Sequence, residues 1–289
     1  MELGSWQVTE EWARRYLEAV GDDCPEYWEA GMAPPLGLTA WALGSLLDGL
    51  ALPPGALHSS QELEVLGPVQ WGEVISATAS IDGPKRRGGL EFITASYTLT
   101  DSSGRAVLKG RSTVLTVDSP GASPVGRESS APPNAQARTQ EGVGASDDPP
   151  PMIDRPAPAC GGLPHVSKLI TQGRLHAYAK ATGDINPLHL DPDFAATTQF
   201  GGIIAHGMLT LAFISQMMVA AFGRSWLETG TIRARFKGAA YLGDEVETCG
   251  KVTKEEPLSS GRLVACSVGL RNRRSGQELI SASASVRRT

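Results

Sequence analysis

Apolar and polar positions fall into two periodic blocks, separated by a stretch that has no period. The first block predicts an amphipathic helix over Glu11 to Ala19 and a longer, largely apolar helix from Gly37 to Leu52. Strand patterns follow at Glu62 to Leu66, Val74 to Ile81, Leu90 to Thr100 and Ala106 to Val117. The second block repeats this order. An amphipathic helix spans Gly173 to Ala181, and an apolar helix runs from Gly207 to Phe222. Ile232, Ala234 and Phe236 then alternate with Arg233, Arg235 and Lys237, a period of two. Further strands are expected over Glu245 to Thr253, Leu263 to Asn272 and Glu278 to Arg287, with a turn at Arg273 to Gly276.

The glycines support duplication. Gly67 and Gly72 recur as Gly238 and Gly243 at a constant offset of 171, and Gly104 recurs as Gly276 at 172. Glycine placement is a backbone constraint rather than an accident of composition. Each block also carries Gly-Asp-x-x-Pro after its first helix, at Gly21 to Pro25 and at Gly183 to Pro187. A long buried helix followed by antiparallel strands, twice over, suits two sheets that each wrap a helix. Between the blocks, from Asp118 to Pro164, Pro, Gly, Ser and Ala dominate, and no Phe, Trp or Tyr stands between Tyr97 and Tyr178. Such a composition builds no core. The expected organisation is an N-terminal domain over 1–117, a disordered linker over 118–163 and a C-terminal domain over 164–289.

The chemistry concentrates after the second amphipathic helix. Tyr178 to His189 reads Tyr-Ala-Lys-Ala-Thr-Gly-Asp-Ile-Asn-Pro-Leu-His. Asp184 and His189 are five apart, the wrong spacing for one helix face, and Pro187 forbids a continuous helix. A helix ending near Gly183 and a tight turn then aim both side chains at one point. A positioned acid–base pair of this kind moves protons on and off water. The first block has Asp22, Cys24 and Tyr27 where the second has Asp184, Asn186 and His189, and Leu36 where the second has His206. One working site, in the second block, is therefore expected, with the first block shaping the pocket's other wall and Asp22 serving its turn.

This stretch resembles the MaoC-like dehydratases, also called R-specific enoyl-CoA hydratases or hydratase 2. The resemblance rests on Gly183, Asp184, Asn186, Pro187, Leu188, His189 and Asp191, on Phe194 to Phe200, and on Ile204-Ala205-His206-Gly207-Met208-Leu209. It covers the last 125 or so residues well and the N-terminal part loosely. It implies an α+β fold, a double hotdog whose halves pack as a pseudo-dimer. It implies reversible addition of water across a trans-2-enoyl-CoA to give an (R)-3-hydroxyacyl-CoA, with Asp184 and His189 holding the water and Asn186 orienting the pair. The backbone N–H of Gly207, at a helix N-terminus, is the expected oxyanion donor. His206 either touches the substrate or the catalytic loop, or stands as a helix-capping residue.

Other features bound the reading. A formal charge of −5 and an isoelectric point near 5.6 speak against nucleic acid and mildly against an acidic acyl-carrier protein. Cys24, Cys160, Cys249 and Cys266 are scattered, with no Cys-x-x-Cys, which points to reduced thiols in the cytoplasm. No signal peptide is visible, and the apolar helix near Met208 to Phe222 is too short for a bilayer. Arg233, Arg235 and Lys237 share one strand face and are candidates for coenzyme A phosphates, the alternative being a solvated face. Asp191 and Asp193 are expected to cap a short helix, and Tyr178, Met217 and Met218 to be core. No metal is expected, because no third ligand stands at useful spacing beside His189 and Asp184 or Asp191. No cofactor is expected either, since nucleotide fingerprints are absent and coenzyme A belongs to the substrate. Rival readings are a hotdog thioesterase and a non-catalytic acyl-thioester-binding subunit. A homodimer stays open.

Overall fold

The computed structural model describes residues 1–50, 56–87, 89–117 and 162–288. The expected linker over 118–163 lies outside the described residues except for its last two. The first half contains β1 (Glu2–Gln7), α1 (Glu10–Val20), α2 (Glu26–Ala30), α3 (Pro35–Leu50), β2 (Leu57–Val65), β3 (Val74–Arg87), β4 (Leu90–Thr100) and β5 (Ala106–Val117). The second contains β6 (Ser167–Leu169), α4 (Gln172–Thr182), a 3-10 turn (Pro187–His189), α5 (Pro192–Thr197), α6 (Gly207–Phe222), α7 (Arg224–Thr229), β7 (Thr231–Phe236), β8 (Glu245–Pro257), β9 (Arg262–Asn272) and β10 (Glu278–Arg288). Among the described residues no helix is long and apolar enough to cross a membrane.

The halves are built alike for local reasons. Thr9 caps α1 by accepting from the Trp12 N–H, and Thr171 caps α4 by accepting from the Arg174 N–H. Gly21 (φ 71°) ends α1 and Gly183 (φ 81°) ends α4 in the left-handed region that side chains avoid. Each capping turn also reaches the other half. The Trp12 Nε1–H donates to the Ala181 carbonyl at 3.2 Å, and Arg174 Nη1 donates to the Ala19 and Val20 carbonyls at 3.2 and 2.6 Å. A guanidinium over the end of α1 also meets the negative pole of that helix. Every residue of α6 from Met208 to Val219 is buried, as expected of a helix apolar all round. Tyr178, Met217 and Met218 are core residues.

The strands form one ten-stranded antiparallel sheet in the order β1-β3-β4-β5-β2-β7-β10-β9-β8-β6. Each half contributes five strands, and the two sheets join edge to edge through β2 and β7. At this seam Ser60 pairs with Arg235, Glu62 with Arg233 and Glu64 with Thr231. Glu62 and Arg233 are equivalent positions of the two halves, at the same offset of 171 as the glycines, and they face each other with Nε and Oε2 3.5 Å apart. The described parts of both halves belong to one compact unit.

Four short elements, β1, α2, β6 and α7, escape the sequence patterns. The expected strand from Glu62 begins earlier, at Leu57, and a register shift between His58 and Ser60 marks a bulge there. Bulges re-aim side chains, and this one bears on the site.

Candidate active site

A cavity of about 580 Å³ lies between the halves and holds the expected site. The second half supplies Asp184, Asn186, His189 and Gly207 to its wall, and the first half supplies Leu43, Leu47, Leu57, His58 and Val114. The first half thus forms the opposite wall, and the second carries Asp184 and His189.

The turn that aims the pair is built by its own polar groups. Asp184 Oδ1 accepts from the Asn186 N–H at 3.3 Å, and Asn186 Oδ1 accepts from the Leu188 N–H at 3.1 Å, starting the 3-10 turn with Pro187 at its first position. That turn carries His189 into the interior, where it is 8% exposed. His189 Nδ1 lies 2.8 Å from the Ile204 carbonyl. A carbonyl only accepts, so Nδ1 carries the proton and Nε2 keeps the bare lone pair while the ring is neutral. Burial pushes the His189 pKa below the ordinary imidazole value, against the opposing pull of the Asp184 carboxylate and the Ile204 carbonyl.

His206 completes the cluster. It is fully buried, and its ring centroid lies 4.0 Å from that of His189. It occupies the position before α6, yet its side chain makes no capping bond. Instead Nε2–H donates to the Asp184 backbone carbonyl at 3.1 Å, so His206 holds the loop that carries Asp184. Its Nδ1 is buried without a partner. Burial, reinforced by His189, lowers its pKa well below the usual value. One ligating atom from each of Asp184, His189 and His206 lies within 4.8 Å of the others. The expectation of no metal rested on the lack of a third ligand, and that ground fails: the fold brings His206 in from seventeen residues beyond His189. One nitrogen of each imidazole is, however, already committed to a backbone carbonyl.

Gly207 opens α6 and lines the cavity. A Cβ there would stand 3.2 Å from the Phe236 ring, so glycine permits close approach to a helix end whose first N–H groups have no partner within the helix. Asp191 Oδ1 accepts from the Asp193 and Phe194 N–H groups and caps α5, as expected. Of the three candidate phosphate contacts, only Lys237 lines the cavity, and it also pairs with Glu278 at 2.5 Å. Arg233 sits at the seam, and Arg235 is exposed on the same outer face.

The first half keeps the turn but has Cys24 and Tyr27 at the positions of Asn186 and His189. Asp22 Oδ1 accepts from the Cys24 N–H at 3.2 Å, as Asp184 does from Asn186. Asp22, Tyr27 and Leu36 are all buried, and burial raises the pKa values of the Asp22 carboxyl and the Cys24 thiol.

Sequence reasoning missed His58. It stands in β2, its Nε2 is shielded and has no partner, and its ring lies 4.8 Å from that of Phe236. Burial lowers its pKa to about 4, opposed by the Ser60 carbonyl, the Asp184 charge and the Gln61 side chain. No sequence signal marks it: one histidine among serines before a predicted strand looks like loop.

A family model described as "MaoC like domain" matches residues 163–271. The (R)-specific enoyl-CoA hydratase of Aeromonas caviae is 35% identical over 104 residues, 35% of this chain and 77% of that protein. The 3-hydroxyacyl-thioester dehydratase Z of Mycobacterium tuberculosis is 33% identical over 100 residues, 33% of this chain and 66% of its own length. The chain therefore spans just under two thirds of that relative. The peroxisomal enoyl-CoA hydratase 2 of Arabidopsis thaliana is 27% identical over 224 residues, 74% of this chain and 67% of that one. Among solved structures, a MaoC-like dehydratase superimposes with TM-score 0.74 at 22% identity, over 99% of this chain and 96% of its own. A Mycobacterium tuberculosis protein described as having a double hotdog fold gives TM-score 0.67 at 14% identity, over 98% and 93%. At these identities the structural likenesses establish the fold, which is a double hotdog.

Proposed function

Because this chain belongs to the MaoC-like dehydratase family, in which the relatives above are named as hydratases and dehydratases, we propose that it is a hydro-lyase. It adds water reversibly to a trans-2-enoyl-CoA, giving the (R)-3-hydroxyacyl-CoA, and coenzyme A enters as part of the substrate. The observation that carries the proposal is the meeting of Asp184 and His189 in a cavity that the first residue of α6 also lines.

At a separation of no more than 4.8 Å, one water hydrogen-bonds to both side chains at ordinary distances of about 2.8 Å. His189 is the base. Its ring is neutral at pH 7 because burial depresses its pKa, and its lone pair sits on Nε2 because Nδ1–H is held by Ile204. Water attacks C3 as Nε2 takes its proton, and the imidazolium returns that proton to C2. Asp184 orients the water and stabilises the transient imidazolium. Asn186 fixes the turn that aims Asp184. Charge gathering on the thioester oxygen is met by the Gly207 N–H, a donor fixed in place by the start of α6. The catalytic domain is 164–289, and the domain over 1–117 supplies the acyl wall. For its compartment we propose the cytoplasm.

The test is a panel of enoyl-CoAs of varied length and polarity, followed by loss of the conjugated double bond's absorbance. Wild type hydrates at least one member. Asp184→Asn and His189→Ala each lower kcat by roughly 10²- to 10⁴-fold with unchanged unfolding midpoints. Full activity in either variant, or no turnover of any compound by wild type, rejects the assignment.

A further inference from the structure

Of the described residues that line the cavity, only Gly183, Ile185 and Lys237 are exposed. They mark its rim. Gly183 has no side chain, and Lys237 is paired with Glu278. Ile185 is 74% exposed, more than any other large apolar side chain among the described residues. A single apolar residue on a surface calls for no explanation, but this one stands where its neighbours are of another kind. Turns favour Gly, Pro, Asn, Asp and Ser, and every other position from Gly183 to Pro187 conforms. In the first half the same place in the turn carries Asp23, which is exposed. The turn therefore forms without an isoleucine, and only the half that holds Asp184 and His189 has one.

The backbone that carries Ile185 is fixed on both sides. Asp184 Oδ1 accepts from the Asn186 N–H, Asn186 Oδ1 accepts from the Leu188 N–H, and the Asp184 carbonyl accepts from His206 Nε2. A β-branched side chain also has little χ1 freedom to lose. Ile185 is thus an apolar surface set in place in advance, and a ligand that covers it meets a small ordering cost. Across the cavity, the wall of Leu43, Leu47, Leu57 and Val114 is apolar, and none of it is exposed. That wall suits an acyl chain, which leaves the rim for the other end of the molecule.

We propose that Ile185 is a specificity-determining residue that packs against the pantetheine arm of the coenzyme A thioester, beyond the arm's first amide. With the reacting carbons beside Asp184 and His189 and the carbonyl at Gly207, the first methylenes after sulfur stay inside the cavity. The arm then crosses the rim with its β-alanine methylenes and the paired methyl groups of its pantoate unit, the apolar parts that an isoleucine covers. The phosphates lie further out, on the side of the exposed cation Lys237. The inference rests on the proposed use of the cavity for acyl thioesters, and the test judges the two separately.

The experiment measures kcat/KM for one enoyl group on three carriers: coenzyme A, pantetheine, and N-acetylcysteamine, which ends just past the first amide. Wild type, Ile185→Ala and Ile185→Leu are compared. The ratio of kcat/KM between the pantetheine and N-acetylcysteamine thioesters drops about five- to tenfold in Ile185→Ala, the scale of half burying a large apolar side chain. Ile185→Leu keeps most of the wild-type ratio, and the ratio of coenzyme A to pantetheine stays as it is in both variants. An unchanged pantetheine to N-acetylcysteamine ratio in Ile185→Ala overturns the inference, whether all three carriers fall together or none falls. A common fall would mean that Ile185 only shapes the turn that aims Asp184. A loss seen with coenzyme A alone also overturns it, since the contact would then be to the nucleotide. Wild type hydrating none of the three rejects the hydro-lyase reading, and calorimetric affinities of the saturated thioesters, compared as the same ratio, then judge Ile185.

Discussion

Acid should weaken this protein through an imidazole, and His58 makes the effect measurable. Its folded pKa is about 4, against about 6.5 in an unfolded chain. Below pH 6.5 the unfolded chain takes up a proton that the folded one refuses, so stability is intact above 6.5 and falls as pH drops toward 4. The limiting slope is about 1.4 kcal/mol per pH unit. Between pH 7 and pH 5 the linkage removes about 2 kcal/mol, and roughly 1 to 2 once partial solvent screening of a half-buried ring is allowed for. His189 and His206 are depressed in the same direction, so the whole-protein effect is larger. The clean quantity is the difference between wild type and His58→Leu in urea unfolding at pH 7, 6 and 5, because other titrating groups cancel. Wild type should lose ground to the variant by roughly 1 to 2 kcal/mol over this range. A difference that is flat with pH, or that grows in wild type's favour, refutes the depressed imidazole.

Two further outcomes follow from contacts already described. His206→Asn frees the Asp184 carbonyl from its 3.1 Å anchor, so steady-state kinetics should show kcat down by roughly 10- to 10²-fold, the scale of a misplaced group, with KM moved far less; an unchanged kcat denies His206 its positioning role. Gly110→Ala sets a Cβ 2.2 Å from two atoms of the Tyr97 ring, so denaturant unfolding should show a loss of about 1 to 3 kcal/mol or more, whereas Gly67→Ala, with nothing within 4 Å, stays near neutral.

The parts of the fold that were legible are those governed by local rules. Gly207 to Phe222, Leu90 to Thr100 and Ala106 to Val117 have the expected bounds, because an apolar helix and alternating strands announce themselves by period. Gly21 and Gly183 end their helices where left-handed backbone is needed. The edge strands β1 and β6 stayed hidden, because their polar, irregular residues owe their conformation to partners β3 and β8, far along the chain. Within the site, Asp184, Asn186 and His189 share one turn and were readable together. His206 was ambiguous because only folding shows which carbonyl it meets. His58 was unreadable because its ring neighbour, Phe236, comes from the other half, and the wall residues beside it lie far along the chain.

The charge pair at the β2–β7 seam has a consequence for assembly. In a complex of two identical subunits, a rotation axis through such a junction sets the central residue against its own copy. Two glutamates would repel there, as would two arginines. Once both strands lie on a single polypeptide the two positions are free to diverge, and here they have become Glu62 and Arg233. An exposed pair adds little stability, but it penalises like-with-like docking. Each exposed strand edge is thereby steered toward its covalent neighbour and away from the same edge on another molecule, a safeguard against swapped aggregates.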